Sequence, residues 1–206
     1  MRNLVLMLLC WVTPIVAVAG EVGVLLEVRG PVTLERAGAQ VDAVRRLPLE
    51  EGDVVRTGDG ARVRLRLDDG TLISLGANTT WSLFTYRPDR PEKPSVVMDL
   101  VTGALRVVTG HVAKMSGANV KVVTPAGSIA VRGTDFWAGN IFDADAFDVL
   151  LVSGTALDVR GVTGRVILDE AGEGTTLRPA GAPGLTARIW PRTKVDKALE
   201  TVEVAD

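Results

Sequence analysis

Ala61-Arg62-Val63-Arg64-Leu65-Arg66-Leu67 runs directly into Asp68-Asp69-Gly70-Thr71-Leu72-Ile73-Ser74-Leu75, and this stretch decides the fold class. Apolar and charged residues alternate strictly through the first half. An extended strand therefore places Ala61, Val63, Leu65 and Leu67 on one face and the three arginines on the other. Asp68-Asp69-Gly70 then supplies a turn, because Gly70 takes positive φ without steric cost. Residues 71–75 read as the returning strand of a hairpin.

The same grammar extends in both directions. Further strands are expected over residues 22–28, 31–35, 53–56, 80–86, 95–101, 104–109, 120–123, 128–131, 135–138, 147–152, 155–159 and 165–168, nearly all bounded by Gly, Pro or Asp-Gly. No long amphipathic pattern interrupts them, so the chain is all-β. Short strands in such close succession favour a sandwich, roll or solenoid over a parallel sheet with helical crossovers. Two stretches break the pattern and read as loops or linkers: residues 86–94, with Pro88, Pro91 and Pro94, and residues 178–191, with Pro179, Pro183 and several glycines. Beyond them Val195, Ala198, Leu199 and Val202 fall near helical spacing, and Thr193 and Asp196 stand like a weak capping box. A short C-terminal helix is expected, docked on the sheet or free, with a disordered tail as the alternative.

Arg2 followed by the apolar run 4–12, Pro14 and Ala17-Val18-Ala19 has the form of a secretory signal peptide, with cleavage expected after Ala19 or, second, after Gly20. The run is short for a bilayer span, and the chain turns charged at Glu21. Leu9 before Cys10 is too large for a lipid-attachment site. Cys10 is the only cysteine, so the exported chain has no disulfide and depends on core burial. The apolar fraction of 47% supports one main domain, and 23 basic against 25 acidic residues gives no general affinity for nucleic acid.

Few residues suggest chemistry. His111 is the only histidine, which leaves a Ser-His-Asp triad without support and, with no cysteine in the exported chain, removes a His/Cys zinc site and thiol redox chemistry. Asn140, Asp143, Asp145 and Asp148 cluster near a hairpin tip, but the spacing lacks the Gly and the trailing Glu of a calcium loop and reads as a solvated acidic turn. Arg62, Arg64 and Arg66 would suit a polyanion, yet a half-buried strand needs a polar outer face in any case, and acids on a neighbouring strand would neutralise it. Trp81, Trp137 and Trp190 are far apart in sequence and read as packing residues.

Thr124-Pro125-Ala126-Gly127-Ser128-Ile129-Ala130-Val131-Arg132-Gly133-Thr134-Asp135-Phe136 resembles the FecR family. Matching segments lie in order on both sides: Gly52-Asp53, residues 55–61, 67–76 and 103–106 upstream, and Val152-Ser153-Gly154 and Gly172-Glu173 downstream. The resemblance runs from Gly30 to Leu177. It implies an extracytoplasmic β domain of strands coiled into a roll or jelly-roll-like double sheet. The family's named member relays a signal from an outer-membrane iron-siderophore receptor to a sigma factor; here only Met1 to Asn3 precede the apolar segment, so a direct sigma-factor role is not carried over. The expected organisation is a signal peptide over 1–19, the β domain over 20–177, and a linker with a tail or short helix over 178–206.

Within the motif, Thr124, Pro125, Gly127, Arg132, Gly133, Thr134, Asp135 and Phe136 are expected to serve the fold. Gly133 permits a tight bend between two strands, Thr134 and Asp135 satisfy backbone donors, and Arg132 pairs with a carboxylate. The expected function is a non-catalytic, signalling-related interaction module of the cell envelope with no cofactor, no catalytic residue and no metal. Its partner is a protein or another envelope component, not nucleic acid. A structural or assembly role is the alternative, and a polysaccharide-acting enzyme stands third. Export predicts a mature amino terminus at Gly20 or Glu21, which the intact mass of protein from the envelope fraction tests; a mass that includes residues 1–19 would make the segment a retained anchor.

Overall fold

In the computed structural model the hairpin forms as its alternation requires. It describes residues 20–90, 92–178, 180 and 182–203, so the expected signal peptide lies outside the described residues. Strands β6 (Arg62–Leu67) and β7 (Leu72–Leu75) pair antiparallel with Leu65 opposite Ile73. Val63, Leu65 and Leu67 are fully buried, while Arg64 and Arg66 face outward and Arg62 is half-buried. At the turn the Thr71 N–H and hydroxyl donate to the Asp69 carboxylate at 3.0 and 2.9 Å, and Gly70 adopts φ 85°. The Tyr86 hydroxyl accepts the Asp69 N–H at 2.7 Å. Burial, and then the Asp69 charge, push the Tyr86 phenol well above its ordinary pKa.

The other strands are β1 (Glu21–Arg29), β2 (Val32–Arg36), β3 (Ala39–Asp42), β4 (Pro48–Glu50), β5 (Val54–Thr57), β8 (Thr80–Arg87), β9 (Ser95–Thr102), β10 (Ala104–Val108), β11 (Asn119–Thr124), β12 (Gly127–Gly139), β13 (Phe147–Gly161), β14 (Gly164–Leu168), β15 (Glu173–Leu177) and β16 (Arg188–Ile189). They form one hydrogen-bonded sheet curled into an open half-barrel, in the order β3-β2-β5-β8-β9-β11-β12-β10-β7-β6-β1-β4, with β13, β14, β15 and β16 branching from β12. The all-β expectation holds. Strands β3, β4, β15 and β16 were not anticipated, being short, polar or glycine-rich.

The branch exists because β12 and β13 are each shared by two half-sheets. The first part of β12 pairs with β11, Val120 opposite Val131, and the second part with β10, Val107 opposite Phe136. Its other edge pairs with β13 throughout, and β13 in turn carries β14 at one end and β15 at the other. The expected break at Gly133 is therefore a bend inside one continuous strand rather than a gap between two, and residues 147–152 and 155–159 likewise belong to one strand. Gly133 has φ 59° and Gly154 beside it φ 114°; a Cβ on Gly154 would stand 2.6 Å from the Thr134 Cα. A bulge follows, Asp135 facing Ser153 but Phe136 facing Leu151, and bulges raise local twist. Both half-sheets contribute to one core, from Leu34, Trp81 and Met98 to Leu65, Val107 and Phe136. At one end Arg36 ties β2 to β4 by donating to Asp53 at 2.8 and 2.7 Å, to Glu50 at 2.6 Å and to the Pro48 carbonyl at 2.8 Å. This carboxylate contact, led by Asp53, raises the guanidinium pKa further.

A second, smaller cluster lies on the outer face of β12 and β13, where helix α1 (Arg192–Glu200) packs Ala198 with Val202 against Trp137, Leu150 and Ala104. Trp137 Nε1–H donates to Thr201 Oγ1 at 3.0 Å. Small residues make the floor flat. A Cβ on Gly76 would stand 2.6 Å from the Thr201 carbonyl, and one on Gly174 would fall inside the Trp190 indole. Trp137 and Trp190, distant in sequence, meet edge to face with centroids 6.3 Å apart. Lys194 lies 3.7 Å from the Trp190 ring centroid and donates to Asp148 at 3.0 Å, as does the Thr176 hydroxyl at 2.6 Å. Asp148 is thus a buried strand residue that anchors the helix, not part of a solvated turn. Pro191 sits at the helix N-cap with no side-chain cap bond, so the expected Thr193 and Asp196 box does not form. Leu65→Ala is expected to cost about 2 to 5 kcal/mol in a denaturant titration, with Arg64→Ala costing little; equal losses would mean that the two faces are assigned wrongly.

Candidate functional site

The motif's side chains are mostly committed to its own folding. Thr124 Oγ1 accepts the Ala126 N–H at 3.3 Å and donates to the Gly127 carbonyl at 3.2 Å, closing the turn that starts β12. Gly127 lies against β13 so closely that a Cβ would meet the Arg160 carbonyl. Pro125 lines a shallow surface hollow with Val101 and Phe147. Phe136 is fully buried in the main core. The Thr134 N–H donates to Thr109 Oγ1 at 2.9 Å, and the Thr109 hydroxyl donates to the Thr134 carbonyl at 3.0 Å, so Thr134 is held by its backbone to the Thr109 side chain while its own buried hydroxyl has no bond.

Three expectations within the motif are corrected, the first being that Thr134 satisfies a backbone donor, since its hydroxyl makes no bond. Asp135 satisfies no backbone donor; it takes Arg106 in a fork, Nε to Oδ1 at 2.9 Å and Nη2 to Oδ2 at 2.7 Å, because β10 and β12 place both outward in adjacent registers. Hydrogen bonding to Asp135 raises the Arg106 pKa against the opposing effect of burial. Arg132 has no carboxylate among the described residues and is exposed. It is the one charged residue of the motif that the fold leaves unpartnered.

Arg132 lines a groove of about 490 Å³ on the outer face of the first half-sheet. Its floor is a checkerboard set by strand register: Ala130 opposite Asp158 opposite Ile167, with Arg132 opposite Ala156 beside them. The two alanines keep the floor low. A single 3-10 turn (Val112–Lys114), anchored by buried Val112 and Ala113, leads into the wall made by Met115, Ser116, Gly117 and Ala118. Ile167 and Met115 are 47% and 39% exposed, which leaves apolar surface within the groove. Asp158 is held by Arg160 at 2.8 Å and Arg165 at 2.7 Å, and these hydrogen bonds, Arg160 first, bring its pKa down to about 2. Three guanidiniums against one carboxylate leave the floor cationic. The motif spacing marked Arg132 in the sequence; the groove around it depends on the 112–118 wall, whose irregular backbone has no periodic signal.

The other chemistry-bearing residues do not assemble. His111 Nδ1–H donates to the Asp69 carbonyl at 2.8 Å and caps the hairpin turn. Asn140 bonds Gly103 N–H and the Ala144 carbonyl, and Asp143 pairs with Arg178 at 2.9 Å. Among the described residues no group of three or more His, Cys, Asp or Glu is placed to hold a metal, and no helix is long and apolar enough to cross a membrane. Trp81 lies wholly within the main core.

The half-barrel is built on one central strand pair, β12 and β13, shared by its two halves. Residues 53–157 match the family described as FecR protein, and the chain belongs to that family. Among solved structures, two crystal structures of a candidate anti-sigma factor from Parabacteroides distasonis superpose with a TM-score of 0.55 at 18% identity, covering 71% of this chain and 64% and 63% of theirs. The chain thus spans somewhat under two thirds of those proteins, and the likeness is one of fold. No curated protein matches by sequence.

The bend gives a paired expectation. Gly133→Val should lose about 2 kcal/mol or more, since a β-branched residue at φ 59° is strained although the nearest atoms stand 3.9 Å from a Cβ. Asp135→Asn should lose about 1 to 2 kcal/mol, the amide keeping one acceptor for Arg106. Chemical denaturation ranks the two, and the opposite order would place the main constraint in the ion pair.

Proposed function

We propose that this protein is an exported, non-catalytic regulatory module that acts by binding a protein partner in the cell envelope. The observation that carries the reading is Arg132: the other charged member of the family motif, Asp135, is consumed by the fold, whereas Arg132 lies unpartnered in an open groove beside exposed Met115 and Ile167. An exposed apolar patch joined to an unpaired guanidinium suits a protein segment that carries an apolar side chain and a carboxylate. The groove holds no pair of general acid and base, its one carboxylate being ionised and doubly held by arginine. Membership of the FecR family and the fold shared with a candidate anti-sigma factor support a signalling-related role. The leader pattern over residues 1–19 supports the envelope as its place of work.

The test is capture from the native envelope with the mature protein as bait. Arg132→Glu and Ile167→Ser lie on the surface, so both variants should melt within a few degrees of the parent while losing at least about tenfold in captured partner. A photo-crosslinker at Met115 should label the same protein. Undiminished capture by both folded variants would remove the groove from the binding surface.

A further inference from the structure

The opposite half-sheet carries a second charged surface that the groove does not use. On the outer face of β6 the Cβ atoms of Arg62, Arg64 and Arg66 repeat at about 6.8 Å, twice the rise of an antiparallel strand. Across the sheet Arg64 stands in line with Ser74 of β7 and Arg106 of β10, and Arg66 with Leu72 and Val108. The neutralising acids that the sequence allowed are scarce. Glu27 of β1 is shared between Arg29 at 3.5 Å and Arg64 at 3.8 Å, and Asp135 is occupied by Arg106. Glu203, beyond the helix, acts on Arg106 from a distance. Arg66 has no carboxylate partner among the described residues. Arg62 donates one bond to the Ala61 carbonyl at 2.8 Å, and its buried Nε has none. Arg45 adds a sixth guanidinium at the rim, where it lines a hollow with Glu27 and Arg64. Among the described residues, six guanidiniums gather here beside Glu27, Asp135, Glu203 and, at the turn after Arg66, exposed Asp68, a local excess of positive charge in a chain whose formal net charge is −2.

We infer that this outer face of β1, β6, β7 and β10 is a docking surface for an extended acidic segment of a partner protein, one with carboxylates at alternate positions. Such a segment repeats its carboxylates at the same roughly 6.8 Å as the arginines, so each can take a fork from a guanidinium when the two run alongside each other. Exposed Leu72 and Val108, 37% and 40% accessible, continue the row from Arg66 and would meet apolar atoms of the same segment. A single-stranded nucleic acid would need aromatic platforms for its bases, and none lies in these rows. A membrane surface would need apolar side chains that project beyond the charged heads, whereas Leu72 and Val108 are shorter than the arginines in the same rows. This surface is separate from the Arg132 groove and stands or falls without it.

The test uses a labelled peptide alternating glutamate with threonine, its block isomer of identical composition, an anionic phospholipid vesicle and a single-stranded oligonucleotide, all titrated against the full exported chain. The alternating peptide should bind best, weaken with salt, and lose about tenfold or more with Arg64→Gln plus Arg66→Gln. Lys121→Gln, on the other half-sheet, should leave binding unchanged. Arg64→Gln alone touches only the exposed face, so it carries the test if the double variant melts early. Equal affinity for the block peptide, tighter binding of vesicle or oligonucleotide, or indifference to the arginine substitutions would each overturn the inference. Because Arg132→Glu leaves this face intact, it should not alter peptide binding, which separates failure here from failure of the groove.

Discussion

Two glycines one position out of register across the longest strand pair, Gly133 and Gly154, set the constraint from which the rest of the structure follows. A strand of thirteen residues such as β12 reaches about 43 Å if straight, well beyond a usual strand of five or six residues. The chain resolves this by bending β12 and β13 together and giving each end its own neighbours. The close approach of Gly154 to the backbone of Thr134 shows that the bend has no room for a side chain on that strand, whereas at Gly133 the limit is conformational. One site is closed by sterics and the other by φ, and the pair turns a flat ribbon into the seam of a half-barrel.

Because the seam is shared, its two ends meet different surroundings. Beyond the bend, Phe136 and Ala138 face the main core while Trp137 faces outward, and Phe147, Val149 and Leu151 alternate likewise with Leu150. This end is apolar on both faces and must be covered. Segment 188–203 covers it, with Gly174 and Gly76 clearing space for Trp190 and the helix end. Lys194 is held by a carboxylate and an indole at once, so the helix is fixed by charge and packing together. The other end, with Ala130, Arg132, Ala156 and Asp158 outward, carries no such cover, and there the groove lies.

Strict alternation made β6 and β7 legible in the sequence, and the run Phe147-Asp148-Val149-Leu150-Leu151 held a signal that periodicity of two does not express. A continuous apolar strand means burial on both faces, and the helical spacing of Val195, Ala198, Leu199 and Val202 supplied the matching surface. Joining those observations would have put Trp137 and Trp190 in contact. Asp148 was misread because its neighbours Asp143 and Asp145 are solvated and sequence distance says nothing about strand register. Strands β3 and β4 were missed for a different reason. Ala39–Asp42 and Pro48–Glu50 have little intrinsic strand preference and are held by pairing to β2 and β1 and by the Arg36 fork. Thr124, Gly127, Gly133 and Phe136 could be placed from local chemistry, but the partner of Asp135 depends on which strand lies next to β12.

The distribution of charge separates groups that the fold requires from groups that it merely tolerates. Asp53, Asp135 and Asp148 are largely sequestered, and each has a cation within 3.0 Å, as burial of a carboxylate demands. Removing a partner from any of them would strand a charge in a poor solvent. Arg66 and Arg132 are under no such demand, since water solvates a guanidinium well. Like charges about 6.8 Å apart repel by only about 0.6 kcal/mol in water, less with salt. Folding stability therefore neither requires the arginine row nor strongly opposes it, and the same holds for Arg132 in its groove. What a bound carboxylate would change is the solvation: once water is excluded the effective dielectric falls, and charges that cost the free protein almost nothing gain several-fold in strength toward an acidic partner. On the proposed reading, each surface would gain from an acidic partner only where paired carboxylates offset the desolvation of the guanidiniums that they cover.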